Sequence, residues 1–310
     1  MAKGSRPLCF SPILPVANGS DFCYKALMRT PPIAKALLLL LLPLLLISLT
    51  GCSITHAMRV ENREIIDIRT MTDELSDSPL LFVGERHDAS SHHQLQLEII
   101  KSLKAEGKSL AIGMEMFDET SQPALDAWSA GKVPEDAFRK VYQWSWRNIP
   151  WGMYSDILLF ARDHRIPVVA LNAPREIVQA VAKKGFAALT PQQLKKLPPD
   201  VDARASDSFQ KFMLSYAPSH GKTGAAFKHI AEAQLLRNMI MARRISDYLE
   251  LHPERVMVVI AGGGHARGTG GVPEELRKDL PFKIVLPPLP PLTGETVTVE
   301  DADYLLVEPF

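Results

Sequence analysis

Cysteine is scarce in this 310-residue chain: Cys9, Cys23 and Cys52 are the only three. The first two lie upstream of a predicted cleavage site, so the mature chain would hold no free thiol and no disulfide. That rules out a cysteine nucleophile and a thiolate metal site. Other signatures are missing too. Neither G-x-G-x-x-G nor G-x-x-x-x-G-K-[ST] occurs; Gly262, Gly263 and Gly264 resemble a phosphate loop only superficially, and read as a tight turn that presents His265. No His-Glu-x-x-His is present, and the spacing of His87, His92 and His93 is no familiar metal pattern. Charge of one sign is not in excess, since 35 basic and 35 acidic residues balance to +0. Residues 1–51 hold Lys3, Arg6, Lys25, Arg29 and Lys35 against Asp21, five cations to one anion, a net +4 that leaves the remainder near −4. A mildly acidic body argues against nucleic acid as a partner.

One long apolar run exists, over residues 36–49, with Arg29 and Lys35 before it. A basic flank and an apolar core of this length form a secretory signal, too short and too abruptly ended for a transmembrane helix. The run ends in Leu49-Thr50-Gly51-Cys52, which resembles the lipobox of bacterial lipoproteins. Residues 1–51 are therefore expected to be a signal peptide, with Met28 a second candidate start. Cys52 is expected to be the lipidation site, tying the chain to a membrane. Ser53 stands where an aspartate is associated with inner-membrane retention, so the outer membrane, at the cell surface or periplasmic face, is the expected address.

Residues 52–78 read as a lipidated cysteine and a polar, irregular tether. From 79 to 310 short apolar runs alternate with helical patterns. Strands are predicted over 80–83, 110–116, 167–171, 256–261, 283–286 and 304–307, and a helix over 90–105 stopped by Gly107. This alternation implies an α/β fold, a mainly parallel sheet flanked by helices. Two helical inserts, at about 118–165 and 185–251, are expected to form a smaller helical subdomain over one sheet edge. The first carries all four tryptophans, Trp128, Trp144, Trp146 and Trp151.

Ligands of open parallel sheets bind beyond the carboxyl ends of the strands. There the predicted strands bring Glu85 and His87, then Glu115, then Asn172 with Arg175, then His265 and Arg267. Unpaired polar groups at buried strand ends cost several kcal/mol, so this convergence needs a purpose. One is structural: Glu85 and Glu115 salt-bridged to Arg86 or Arg175, and His87 capping a helix. The other is chemical: a carboxylate beside an imidazole can activate water, and Arg175 or Arg267 can stabilise an oxyanion.

Gly84-Glu85-x-His87, Gly113-x-Glu115-Met116-Phe117, Ala170-Leu171-Asn172-x-Pro174-Arg175, Ala233-Gln234 and Gly-x-Gly-His265 together resemble ChaN-like lipoproteins. These are haem-binding uptake proteins of the Tiki/TraB/erythromycin-esterase-like superfamily. The resemblance covers roughly residues 60–290, and departs at Asn238, where an acidic residue is expected four positions after the glutamine. It implies a parallel sheet with helices and a homodimer enclosing haem. It also implies a tyrosine on the iron, with a histidine and a lysine of the partner chain on the propionates. Tyr216 is the first candidate ligand, with His220 and Lys222 close behind it for the propionates; Tyr154 is the second. The tryptophan-rich stretch would wall the porphyrin. Function is thus expected to be membrane-anchored haem binding in iron uptake. The alternative is a metal-dependent hydrolase of esterase or peptidase type, with a divalent metal at Glu85, His87, Glu115 and His265.

Overall fold

The computed structural model describes residues 54–308 except 200, 202–203 and 221–223, and describes only the backbone of 216–220. Cys52 and Lys222 therefore lie outside the described residues, as do the side chains of Tyr216 and His220. The sheet has eight strands: β1 His56–Arg59, β2 Ile65–Asp67, β3 Leu80–Glu85, β4 Leu110–Asp118, β5 Val168–Asn172, β6 Val256–Gly262, β7 Lys283–Leu286 and β8 Tyr304–Val307. Their order is β2-β1-β8-β7-β3-β6-β4-β5. From β8 to β5 every neighbouring pair is parallel, while β1 is antiparallel to both β8 and β2. The chain is thus the expected mainly parallel α/β fold.

Among the described residues ten α-helices flank it: α1 Ile68–Leu75, α2 Ser90–Ala105, α3 Gln122–Ser129, α4 Glu135–Ser145, α5 Ser155–Asp163, α6 Arg175–Lys184, α7 Pro191–Leu194, α8 Asp207–His220, α9 Gly224–Leu251 and α10 Gly263–Ala266. Strand side chains alternate between faces, and the core divides accordingly. Leu81, Val83, Ile112, Met114, Val258 and Ile260 join α2 and the first insert on one face. Leu80, Phe82, Ala111, Val169, Met257 and Val259 meet Met241, Ala242 and Ile245 of α9 on the other. Both inserts are helical, but they divide between the two faces rather than sharing one edge. A smaller helical layer remains in the second insert. There Ile177 and Val181 of α6 pack on Ala233, Leu236 and Ile240, and Phe209 and Met213 of α8 pack on Leu235.

The stretch read as an irregular tether folds over most of its length. β1 and β2 form a hairpin through Arg63, at φ 63, and Asp67 caps α1 by accepting the Thr70 N–H at 2.8 Å. The strands are short and half exposed, so they leave little alternation to read. What secures β1 is its pairing with β8, His56 opposite Val307, at the far end of the sequence.

Candidate functional site

Register assembles the site. β3 lies beside β6 with Glu85 opposite Gly262, and β4 pairs β6 up to Met114 opposite Ile260, so Glu115 emerges alongside. Pairing of β4 with β5 shifts between Met114 and Asp118, the kind of irregularity that re-aims side chains.

Two buried carboxylates organise the cluster. Glu85 accepts from His87 Nδ1 at 2.6 Å, Gln96 Nε2 at 2.8 Å, His93 Nδ1 at 3.1 Å and the Tyr154 hydroxyl. Burial alone would raise its pKa, but hydrogen bonds from His87 and His93 prevail and hold it at about 2. Burial in turn presses both imidazoles down, and Glu85 outweighs it, so His87 and His93 titrate above their usual value. Glu115 accepts from Arg237 Nη2 and, at 2.6 Å, from the Gly262 N–H. Burial pushes this carboxyl up as well; Arg237 first, then His265 and His87, bring it to about 2.

His87 and His265 face Glu115 from either side. Each has its Nδ1–H held, His87 by Glu85 and His265 by Asn238 Oδ1 at 2.6 Å. The Asn238 amide is oriented because its Nδ2 donates to the Gly270 carbonyl at 3.0 Å. The Nε2 atoms lie 4.0 Å (His87) and 3.8 Å (His265) from Glu115 Oε1. Burial and then Arg237 drive the His265 pKa down to about 3, so it is neutral at pH 7. Gly262 eases this close approach: a Cβ there would stand 3.0 Å from His87 Nε2, tight enough to push the ring aside. The three glycines have ordinary φ values, so crowding against His87 rather than turn geometry favours Gly262.

The structure brings Glu85, His87, Glu115 and His265 together, and Asn172 joins by donating from Nδ2 to the Glu115 carbonyl at 2.8 Å. Arg175 does not. As the first residue of α6 it turns outward and donates to the Trp144 carbonyl at 3.0 Å. Arg267 is tied to Asp301 at 2.6 Å, and Arg86 lies near Glu308. The guanidinium in the cluster belongs to Arg237, which also donates to Asn172 Oδ1 at 3.1 Å and Gln234 Oε1 at 3.0 Å. Sequence reading missed it, although it lies one helical turn beyond the Gln234 of the Ala233-Gln234 motif. Among the described residues no set of three or more histidines, cysteines and carboxylates is arranged to hold a metal ion. Glu115 already has its charge met by Arg237.

A family model described as haem-binding uptake, Tiki superfamily, ChaN matches residues 71–276. The chain belongs to this family. ChaN of Campylobacter jejuni, a structure described by its cofacial haem binding, superposes with TM-score 0.65 at 17% identity, over 83% of this chain and 97% of that one. At such identity the likeness speaks for the fold. Erythromycin esterase EreC in its open conformation superposes at TM-score 0.46 and 11% identity, over 82% of each chain. No curated protein matches.

A porphyrin needs apolar surface, and the strand-edge cluster offers little of it. Its groups are polar and bonded to one another, with Trp146 edge-on to His87 at 5.1 Å and Tyr154 against His93 at 4.3 Å. Tyr154, the second candidate ligand, points into the cluster. It is fully buried, its hydroxyl donates to Glu85, and burial with the Glu85 charge pushes its pKa far up. Nor do the tryptophans form one wall. Trp128 is core, stacked on Phe138 at 4.3 Å, and Trp151 is core beside it, whereas Trp144 is 65% exposed. Partly covered apolar side chains lie instead in the helical layer of α8 and α9. Phe212, Phe227, Ile230 and Met239 are only partly covered there, and Leu214 of α8 is 65% exposed.

Proposed function

We propose that this protein is a membrane-tethered haem-binding protein serving iron uptake, and that Tyr216 of α8 is its iron ligand. The observation that carries the ligand assignment is the state of the other phenols. Beyond Cys52 the tyrosines are Tyr142, Tyr154, Tyr216, Tyr248 and Tyr304. Burial raises the pKa of Tyr142, Tyr154, Tyr248 and Tyr304 alike, which opposes the phenolate a ferric ion needs. Three of them are also committed inside: Tyr154 to Glu85, Tyr304 to Glu74 at 2.5 Å and Tyr142 to the Ile149 carbonyl at 3.1 Å. Tyr216 is left, on the helix whose apolar side chains are half covered.

Haem would supply a hard ferric centre suited to an anionic oxygen. In this reading Tyr216 offers that oxygen, Phe212 and Leu214 offer apolar surface, and His220 and Lys222 of a second copy meet the propionates in a homodimer. Lipidation at Cys52 holds the protein at the outer membrane, where incoming haem is met. Titration of the purified protein with hemin tests this. A stoichiometric, high-spin, tyrosinate-type absorbance spectrum that Tyr216→Phe abolishes is expected. Saturable binding with an unchanged spectrum in Tyr216→Phe would refute the ligand assignment, and no saturable binding would refute the function.

A hydrolase has one observation in its favour, the Glu85-oriented His87 with Nε2 directed into the cluster. The arginines expected to steady an oxyanion are engaged elsewhere: Arg175 with the Trp144 carbonyl and Arg267 with Asp301, while Arg237 is bound to Glu115 and Asn172. The cluster's groups satisfy one another, as a brace for the sheet edge would.

A further inference from the structure

Helix α8 stands apart from both sheet cores, and its seat is unusual. It packs on the loop that follows His265, at distances where a side chain would force its neighbours to shift. A Cβ on Gly270 would stand 3.1 Å from Phe212 Cβ and 3.2 Å from Phe209 Cα, both close to the helix backbone. Gly270 also has φ +73, a left-handed conformation that side chains other than glycine's disfavour. Gly264 meets the tip of the Phe212 ring in the same manner, with a Cβ there 3.2 Å from Cζ. The Arg267 guanidinium lies over that ring, 4.5 Å from its centroid. Glu274 clamps the start of α8 to the loop, accepting from the Ser208 hydroxyl and the Gly270 N–H, both at 2.5 Å.

The loop is itself fixed from the strand edge. Asn238 Nδ2 donates to the Gly270 carbonyl at 3.0 Å, while Asn238 Oδ1 holds His265, which faces Glu115. A continuous chain of contacts thus runs from Glu115 through His265, Asn238 and Gly270 to Phe209 and Phe212, one turn before Tyr216.

We propose that Asn238 and Gly270 are positioning residues for haem ligation: they seat α8, and with it Tyr216, without touching haem. The proposal rests on the haem reading above. It gives the strand-edge cluster a part in binding, since His265 and Asn238 transmit its rigidity to the ligand helix. Misplacing a ligand by about 1 Å is enough to lose much of what orientation supplies.

The test uses the purified full-length protein and two readouts. In the first, without haem, amide hydrogen exchange is followed across residues 207–220. Gly270→Ala should speed exchange there by about tenfold, the equivalent of the left-handed penalty at one residue, and Asn238→Ala by a similar factor through loss of its hydrogen bonds to Gly270 and His265. Leu103→Ala, in the opposite sheet core, serves as a control for general destabilisation and should leave α8 exchange unchanged. In the second readout, hemin titration, the two seat variants should bind at least about tenfold more weakly. They should also show an altered ligand-field spectrum, which the control keeps. Unchanged exchange of α8 in Gly270→Ala and Asn238→Ala overturns the seat whatever haem does. Altered exchange with wild-type hemin affinity and spectrum overturns its role in ligation. If the wild-type protein binds no hemin, the haem reading falls and the ligation claim with it, while the exchange result still decides whether the seat exists.

Discussion

Arg237→Leu removes the one fixed cation from the strand-edge cluster, and the consequences can be followed atom by atom. Glu115 is 1% exposed and loses the guanidinium that does most to keep it ionised. It retains the Gly262 N–H at 2.6 Å, while Asn172 Oδ1 and Gln234 Oε1 each lose a donor. Breaking a buried ion pair from one side costs about 3–5 kcal/mol. Part of that is recovered here, because after burial the guanidinium is what depresses His265, and without it the His265 pKa rises beside Glu115. The expected loss is therefore near the lower end, about 3 kcal/mol, or roughly 6–12 °C in melting temperature for a domain of this size. Urea melts with the same slope for both proteins would measure it. Adding Glu115→Gln to Arg237→Leu removes the stranded charge and should recover at least about 1 kcal/mol, although Glu115→Gln alone destabilises the wild type. An Arg237→Leu protein within about 1 kcal/mol of wild type, or a double variant worse than the single, would show that the pair is not what holds Glu115.

How far the sequence reveals this arrangement depends on where each partner comes from. The strands with continuous apolar runs, β3, β4 and β6, are legible because a strand buried on both faces must be apolar at every position, and their polar ends then stand out. Glu85, His87, Glu115 and His265 were accessible for that reason. Arg237 was not, because its role depends on how α9 lies across the sheet. A cation in the middle of a 28-residue helix has no local mark separating it from Arg243 or Arg244, which pair at the surface with Asp247 and Glu119. Arg175 misled for the converse reason: it follows β5 closely, yet the first turn of α6 carries it away from the cluster. Asn238 reads as a departure from a motif until the Gly270 carbonyl is placed beside it, where an amide is suited as both donor to that carbonyl and acceptor from His265. The β1–β2 hairpin escaped because its stability resides in pairing with β8, which local periodicity does not register.

Cys52→Ala should release the protein from membranes or leave it unprocessed, because two acyl chains hold a membrane far better than one; fractionation showing unchanged association and a normal mature mass would refute lipidation. Tyr154→Phe should leave any haem spectrum unchanged and lower stability by about 1–3 kcal/mol, since Glu85 loses a donor; loss of the spectrum with an unchanged melt would reinstate Tyr154 as ligand. His87→Ala should likewise cost about 1–3 kcal/mol, and esterase or peptidase turnover, or a stoichiometric metal, lost in this variant without destabilisation would favour an enzyme. The pH dependence is the sharpest check on the electrostatics. His265 has a folded pKa of about 3 against an ordinary 6.5, so the unfolded chain binds its proton first. Its contribution is present above pH 6.5 and is lost as pH falls toward 3, with a slope of up to about 1.4 kcal/mol per pH unit. Glu115, held at about 2 against 4.5, adds a loss of the same sign, which sets in only below pH 4.5. His87 and His93 act oppositely: their raised values stabilise below pH 6.5, and that contribution disappears as pH rises through the folded values. His265→Asn keeps a donor toward Asn238 but cannot titrate. Its stability should therefore depend on pH less steeply than wild type between pH 6 and 5, by close to one proton, as read from urea melts at each pH. Equal slopes for the two proteins would mean that His265 is not held neutral, and the Arg237–Glu115–His265 arrangement would have to be redrawn.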